Sequence, residues 1–498
     1  MAKKVPPKAV NLKDHSQSLS QRAVKGGFWV FLLRITQQVF NLLKIIILAR
    51  ILAPHAFGLM GIVLLTMATL ETFSQTGFEQ ALIQKKGNIK AYLDSAWTVL
   101  VLRGFILFTI LYFTAPYAAT FFEAPEAKLI IQVIGLAILF QAFTNIGVVY
   151  FQKKLEFNKQ FIYRLSGTLA DFVVAVSAGL ILRSVWALVF GSLAAAIVRL
   201  IVSYLIHPYR PRLSSDLCQA KELFSFGKWI LGSSILVFLV FQGDDIFVGK
   251  LLGVTLLGFY QMAYRFSNAP ATEITHVISH VTFPAYSKLQ DNLPSLRQAF
   301  LKTLKLTAFI SIPLAGGIFI LAPEFTNMFL GEKWMPMVPT LQILVFAGLL
   351  NSIGATTGPI FQAIGKPQID TKWQLIRLFV LATSIYPLSI QWGIMGTSVS
   401  VLLTLVVSTA GKSFMVVKIT QCGMREFGKV LVFPLISGII MVSFISTLKI
   451  CITTVEILQF FLLAGIGILI YFGVTYLLDR FFNYGMRSLI KESLSVLT

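Results

Sequence analysis

GFWVFLLRITQQVFNLLKIIILAR, residues 27–50, is long enough to cross a bilayer as one helix. Within it Arg34, Gln37, Gln38, Asn41 and Lys44 stand at i, i+3, i+4, i+7 and i+10, so they share one helix face. Nearly every other position is Phe, Leu, Ile or Val. Charge at membrane depth is costly unless it meets water, a counter-ion or a ligand. The stretch therefore predicts a polar cavity inside a helical bundle and something anionic that enters it.

The rest of the chain agrees with a bundle. Of 498 residues 56% are hydrophobic and 13% are charged, against about 25% charged in soluble proteins. The expected fold is an all-α membrane protein of about 14 transmembrane helices, drawn between residues 27 and 478. The divisions are a cytoplasmic tail (1–26), an N-lobe of six spans (27–207), an inter-lobe linker (208–224), a C-lobe of six spans (225–415), two further spans (429–478) and a cytoplasmic tail (479–498). Residues 1–26 are polar and basic, without the apolar core and cleavage site of a signal peptide.

The net charge of +21 would suggest nucleic acid in a soluble protein. Here topology accounts for it, and no nucleic acid is expected. With the N-terminus inside, most Lys and Arg fall in cytoplasmic segments, among them Lys85, Lys86, Lys153, Lys154, Arg210, Arg212, Lys366, Lys372 and Arg377. The outside loops hold only Arg50, Lys128, Arg183, Lys250, Lys333 and Lys449. Those loops are short, which disfavours the polymerases and glycosyltransferases that need an extramembrane domain, and no enzyme is expected. Cys218, Cys422 and Cys451 lack metal-ligand spacing.

An offset of 200 residues lays residues 27–60 on 227–260 without a gap. Gly27 meets Gly227, Trp29 meets Trp229, Leu52 meets Leu252 and Gly58 meets Gly258. Both copies run from inside to outside. Two six-helix lobes in pseudo-twofold relation, with substrate between them, is a plan used by transporters.

Further polar stripes lie in other spans. Glu71, Gln75 and Glu79 recur every four residues; Gln242, Asp244 and Asp245 cluster near an outer end; Arg265, Asn268, Glu273, His276 and His280 share roughly one face. Arg34 and Arg265 are read as an anion site, because guanidinium matches phosphate oxygens bidentately, or as members of intramembrane ion pairs. Lys44 falls on Asp244 in the offset, which suggests an outer gate with Asp245 beside it, against simple snorkelling of Lys44. Glu71, Asp171, Glu273 and His276 are coupling-ion candidates or structural hydrogen-bonding groups. His276 and His280 lack a full ligand set, so no metal site is assigned. GATTG at 354–358 reads as a small-residue helix contact. Pro270, Pro313 and Pro359 fall inside spans, where kinks are tolerated along a cavity. There is no G-x-x-x-x-G-K-[ST] loop, so energy comes from a gradient, from the membrane potential or from consumption of product. No cofactor is expected; H+ or Na+ is the expected coupling ion.

LARILAPHAFGLMGI (48–62), GFEQALIQKK (77–86), QKKLEFNK (152–159), GFYQMAYRFSNAP (258–270), FPAYSKLQD (283–291) and LGEKWMPMVPTLQIL (330–344) together resemble one family. It is the polysaccharide-transporter branch of the multidrug/oligosaccharidyl-lipid/polysaccharide exporter superfamily, and the nearest likeness is to colanic acid and teichuronic acid exporters. The resemblance covers roughly residues 20–420. It implies a two-lobe fold with a central cationic cavity and a monomer in the bacterial inner membrane, both termini cytoplasmic. It also implies flipping of undecaprenyl-diphosphate-linked glycan to the outer leaflet, in contact with membrane lipids and alongside glycosyltransferase or polymerase partners. Flippases of the superfamily carry a basic residue in the first span and another in the eighth; Arg34 and Arg265 are the matching positions. Gln37, Gln38, Asn41, Gln75 and Asn268 are then expected to meet sugars. The alternative within the superfamily is a cation-coupled multidrug or small-molecule antiporter using the acidic residues.

Overall fold

The computed structural model describes residues 12–74, 82, 90–214, 217–451, 456–482 and 484–486. The described chain is helical throughout, without a strand. Its principal helices are α1 (Leu12–Ile51), α2 (Pro54–Phe73), α3 (Lys90–Phe121), α4 (Ala127–Ala142), α5 (Val149–Lys153), α6 (Phe157–Leu182), α7 (Trp186–Ile206) and α8 (Leu217–Leu251). They continue as α9 (Val254–Leu289), α10 (Leu293–Phe325), α11 (Val338–Gly354), α12 (Gly358–Ala363), α13 (Gln368–Ile419), α14 (Met424–Cys451) and α15 (Glu456–Phe482). Among the described residues ten helices are long and apolar enough to cross a membrane, or eleven with the pair Ala127–Ala142 and Ile146–Lys153, bent by 66°. Helix α13 is two helices broken at Gly393, whose φ of 57° and ψ of −136° suit a residue without Cβ. Unbroken, 52 residues would run about 78 Å, far beyond a hydrocarbon core of about 30 Å. The multi-span helical fold thus holds, while a count of fourteen remains an expectation.

Two helices begin ahead of the spans expected for them. Helix α1 starts at Leu12, inside the expected tail, and α8 starts at Leu217, inside the expected linker. The first part of that linker is fastened to α3: Tyr209 Oη and Arg212 N donate to Asp94 Oδ1 at 2.6 and 2.8 Å, and Ser214 N donates to Thr98 Oγ1 at 2.9 Å. GATTG is a helix break between α11 and α12, where the Thr356 and Thr357 hydroxyls donate to carbonyls three residues back. Short polar side chains that satisfy the local backbone end a helix more readily than they pack one.

Four prolines lie within helices at places where the neighbours repair the damage. Proline removes one N–H and frees the carbonyl four residues earlier. Pro116 frees Tyr112 O, which accepts from Gln132 Nε2 at 3.2 Å. Pro313 frees Phe309 O, which accepts from Tyr471 Oη at 3.0 Å. Pro323 frees Phe319 O, met by Gln342 Nε2 at 3.0 Å, and Pro434 frees Val430 O, met by Tyr484 Oη at 2.7 Å. In hydrocarbon such donors are what make an interrupted helix tolerable. Pro270 instead lines a small cavity with Ser267, Ser311 and Ser352, and Pro359 opens α12 where no N–H bond is lost.

The chain divides into two compact units, one from Met1–Leu52 with Thr66–Ile235, the other from Ala53–Leu65 with Leu236–Thr498. In the first, α6 packs on α7 and on α1, and α3 packs on α4. In the second, α9 packs on α11, α11 on α13, and α14 and α15 pack on α10. Helices α14 and α15 are tied in by Tyr471 on the Phe309 carbonyl and by Lys449, which pairs with Glu324 at 2.6 Å.

Candidate functional site

The stripe on α1 divides into two edges. Its five polar residues spread over an arc of about 120° at 100° per residue. Lys44 and Gln37 lie on one edge, and that edge rests on α6. Lys44 Nζ donates to Asp171 Oδ2 at 2.5 Å, and Gln37 Nε2 donates to Thr168 Oγ1 at 3.1 Å. Ring contacts continue the seam, Trp29 with Phe161 at 5.1 Å and Phe40 with Phe172 at 5.3 Å. A buried cation is tolerated when its counter-ion is equally withdrawn from water; both side chains are 16% exposed. Arg34 and Asn41 are half-buried and Gln38 is exposed.

The geometry therefore gives Lys44 a different partner from the expected Asp244. It also gives Asp171, a coupling-ion candidate, a lysine for its cation.

The second unit binds Asp244 internally. It is buried and accepts from Tyr260 Oη at 2.6 Å. Asp245 lies next to it, and both carboxylates keep a buried Oδ1 without a hydrogen-bond partner. The positive charge that acts on Asp244 within the unit is that of Arg377. Its guanidinium lies 4.7 Å from the Phe241 ring, and the residue is 7% exposed. Arg377 was expected among the cytoplasmic cations. The structure places it inside the unit, nine residues into α13, about 14 Å along the helix axis.

Asn268, expected among the sugar-contacting amides, has hydrogen-bond partners within its own unit. It is buried, donates to Ser267 Oγ and the Tyr264 carbonyl at 3.1 and 3.3 Å, and accepts from Asn351 Nδ2 at 3.3 Å. Its hydrogen bonds hold α9 to α11. Arg265, three residues earlier on α9, is exposed. Gln75 lies outside the described residues, as do the side chains of Glu273 and His276.

Glu71 is half-buried near the end of α2. There Arg103 of α3 caps the helix: Nε donates to Ser74 O at 2.8 Å, and Nη2 donates to Ser74 Oγ at 2.8 Å and to Glu71 O at 3.2 Å. A guanidinium has enough donors to hold several carbonyls left open at a helix end. Arg103 is a single cation in an otherwise apolar span, and that isolation is the signal by which the sequence could have drawn notice to it. Arg377 had no such signal, because it follows Lys366 and Lys372, which read with it as one cytoplasmic group.

Comparison with known proteins places this architecture. Residues 47–339, more than half of the chain, match the family model described as "Polysaccharide biosynthesis protein". The chain belongs to that polysaccharide biosynthesis protein family. A relative from Escherichia coli (strain K12), the lipopolysaccharide biosynthesis protein WzxC, is 27% identical over 403 residues, 80% of this chain and 82% of that one. The succinoglycan biosynthesis transport protein ExoT of Rhizobium meliloti (strain 1021) is 25% identical over 66% of this chain and 67% of its own. The teichuronic acid biosynthesis protein TuaB of Bacillus subtilis (strain 168) is 25% identical over 62% of this chain and 65% of its own. Among solved structures, the lipid II flippase MurJ in an inward closed conformation has TM-score 0.69 at 17% identity, covering 92% of this chain and 99% of its own. An inward-facing multidrug resistance MATE transporter has TM-score 0.57 at 17% identity, over 78% of this chain and 96% of its own. These two likenesses are of fold. The family assignment agrees with the resemblance carried by the segments between residues 48 and 344, and within the family this chain is a multi-span membrane protein.

Proposed function

We propose that this protein is a flippase that moves undecaprenyl-diphosphate-linked oligosaccharide across a bacterial inner (plasma) membrane for surface polysaccharide assembly. Both termini lie in the cytoplasm, and access alternates between the two faces. The observation that carries the reading is the polar arc of α1 in a chain of this family. With Gln37 and Lys44 engaged by α6, Arg34, Gln38 and Asn41 remain as its half-buried to exposed part. Arg34 and Arg265 are the residues that engage the diphosphate, and Gln38 and Asn41 meet sugar hydroxyls. The polyprenyl tail stays in the bilayer. An inside-negative potential favours outward movement of anionic charge by about 2.3 kcal/mol per charge per 100 mV, for charge that the protein does not neutralise. Glu71 remains a coupling-ion candidate for H+ or Na+.

The test is reconstitution. Purified protein in liposomes should move labelled lipid-linked glycan between leaflets, and Arg265→Ala should slow that movement at least tenfold, the loss of about 1.4 kcal/mol of anion stabilisation. Normal flipping by Arg265→Ala would remove the anion-site reading. The antiporter alternative keeps the fold and uses the acidic residues. It draws less support, because the relatives are named for polysaccharide assembly and two of the acidic candidates, Asp171 and Asp244, have partners inside their own units. Drug-susceptibility profiling of a deletion strain separates the two readings.

A further inference from the structure

His207, at the end of α7 in the first unit, is held in one orientation by its surroundings. Its Nδ1 accepts from Tyr209 N at 3.2 Å, and a Cβ on Gly147 would fall on the Nδ1–Cε1 edge of the ring. Tyr150 stacks on the imidazole at 5.7 Å, and Phe151 stands edge-on to it at 5.8 Å. With Nδ1 taken as an acceptor, the neutral ring carries its proton on Nε2. That N–H has no hydrogen-bond partner among the described residues.

Three cations from two separate stretches of chain gather on this ring. Each aromatic neighbour carries a lysine: Lys154 Nζ lies 5.0 Å from the Tyr150 centroid, and Lys159 Nζ lies 6.0 Å from that of Phe151. Arg210 Nη1 donates to the His207 and Tyr209 carbonyls at 2.8 and 3.0 Å. The carboxylate beside them, Glu156, is taken by Lys159 at 2.7 Å. Lys154 and Arg210 are exposed and have no counter-ion among the described residues. Burial first, and then Lys159, Lys154 and Arg210, hold the imidazole below its ordinary pKa, with Glu156 opposing. The positive-inside rule accounts for the number of cations in cytoplasmic segments, but not for their convergence on one histidine. Like charges brought together repel, and an anion among them relieves the repulsion. Apolar surface borders the group: Leu205 and Leu213 are each 77% exposed.

We propose that Lys154, Arg210 and the Nε2–H of His207 bind the phosphate of an anionic phospholipid of the cytoplasmic leaflet, with its acyl chains along Leu205 and Leu213. The inference rests on the topology proposed above, which puts the end of α7 at the cytoplasmic surface, and not on the cargo. Two features favour a phospholipid over a free anion. The cations lie where a membrane helix ends, at the level of the headgroups, and apolar side chains stand exposed beside them. The free oxygens of a phosphodiester accept from two cations and one neutral N–H together, as charge-assisted hydrogen bonds. A headgroup held there fastens residues 208–214, the start of the expected linker, to the membrane surface.

The test counts bound lipid. Purified protein in detergent is titrated with phosphatidylglycerol or phosphatidylcholine and followed by native mass spectrometry. One phosphatidylglycerol should be retained about tenfold more tightly than phosphatidylcholine. Lys154→Gln with Arg210→Gln should weaken that retention about thirtyfold, the worth of two cations beside anionic headgroups. Lys154→Gln alone, which breaks no hydrogen bond, should weaken it about fivefold. Lys366→Gln with Lys372→Gln removes the same charge at two other exposed positions and should leave retention unchanged. Wild-type retention by the Lys154 and Arg210 variants, or an equal loss in the Lys366 and Lys372 variant, would overturn the site. Displacement of the phosphatidylglycerol by millimolar inorganic phosphate would overturn the lipid occupant in favour of a free anion. The leaflet is tested separately. With Cys218, Cys422 and Cys451 replaced by Ser, Leu213→Cys should react with a membrane-impermeant maleimide in inverted vesicles and not in intact cells; the opposite pattern would overturn the cytoplasmic assignment. The liposome assay on the unsubstituted protein is independent. Selective retention without flipping would remove the transport reading and leave the lipid site; flipping without selective retention would do the reverse.

Discussion

Arg377 lies over the Phe241 ring, and its charge and that of buried Asp244 act on one another without a direct ion pair. Removing one of two interacting buried charges leaves the other less compensated away from water, whereas removing both can be nearly neutral. Arg377→Met should therefore lower the thermal unfolding midpoint strongly, and Arg377→Met with Asp244→Asn should recover most of it. An equal deficit in the double variant would mean that the pair is not a unit. Lys44 and Asp171 make the corresponding prediction in the first unit. Lys44→Asp or Asp171→Lys alone should reduce yield and stability, and the double swap should restore both. A swap of Lys44 with Asp244 should not restore what Lys44→Asp loses, because that loss is of the Asp171 contact.

At the scale of elements, the interrupted helices depend on donors from their neighbours. Tyr471→Phe leaves the Phe309 carbonyl in apolar surroundings without its donor and should cost about 1–3 kcal/mol. Adding Pro313→Ala returns the N–H four residues on and should recover most of that loss. If the double variant melts no higher than Tyr471→Phe alone, the hydroxyl serves some other purpose. The bend between α4 and α5 has a comparable fixture in Asn145, fully buried, which accepts from Gly147 N and donates to Tyr209 O. Nearby, His207 at the end of α7 stacks parallel on Tyr150 at 5.7 Å, and its Nδ1 accepts from Tyr209 N. Burial first, then Lys159 and Lys154, hold its pKa below the ordinary 6.5. The unfolded segment thus takes up the proton more readily than the folded one. Stability of this region is full above pH 6.5, falls as pH drops below it, and levels off below the folded pKa. Hydrogen exchange of residues 207–214 should therefore quicken on acidification beyond the chemical trend, and His207→Asn should abolish the excess.

For the whole molecule, the decisive measurement is in cells. A deletion strain should accumulate lipid-linked oligosaccharide on the cytoplasmic leaflet, and the glycan it carries identifies the substrate. Wild-type glycan export in that strain would rule out an essential flippase role. The sequence by itself determined the class of molecule. Hydrocarbon leaves a long chain of apolar segments no stable option but helices, so composition and polar spacing were enough to predict a multi-span bundle. The quoted segments were enough to point to the family. Gly58 and Gly258, paired by a simple offset, lie against one another. Partner choice was not legible. Helical spacing says which residues share a face, but not which neighbouring helix that face meets. Lys44 could be aligned with Asp244 by the repeat, yet α1 packs on α6, and there the nearest carboxylate is Asp171. Arg377 looked like one more loop cation because the end of its helix depends on which helices surround it. Asn268 looked like a cavity amide because a polar residue at membrane depth has the same spacing whether it meets a substrate or another asparagine. Those choices belong to tertiary packing: the free energy of a buried polar group depends on the few atoms that touch it, and only the fold brings those atoms together.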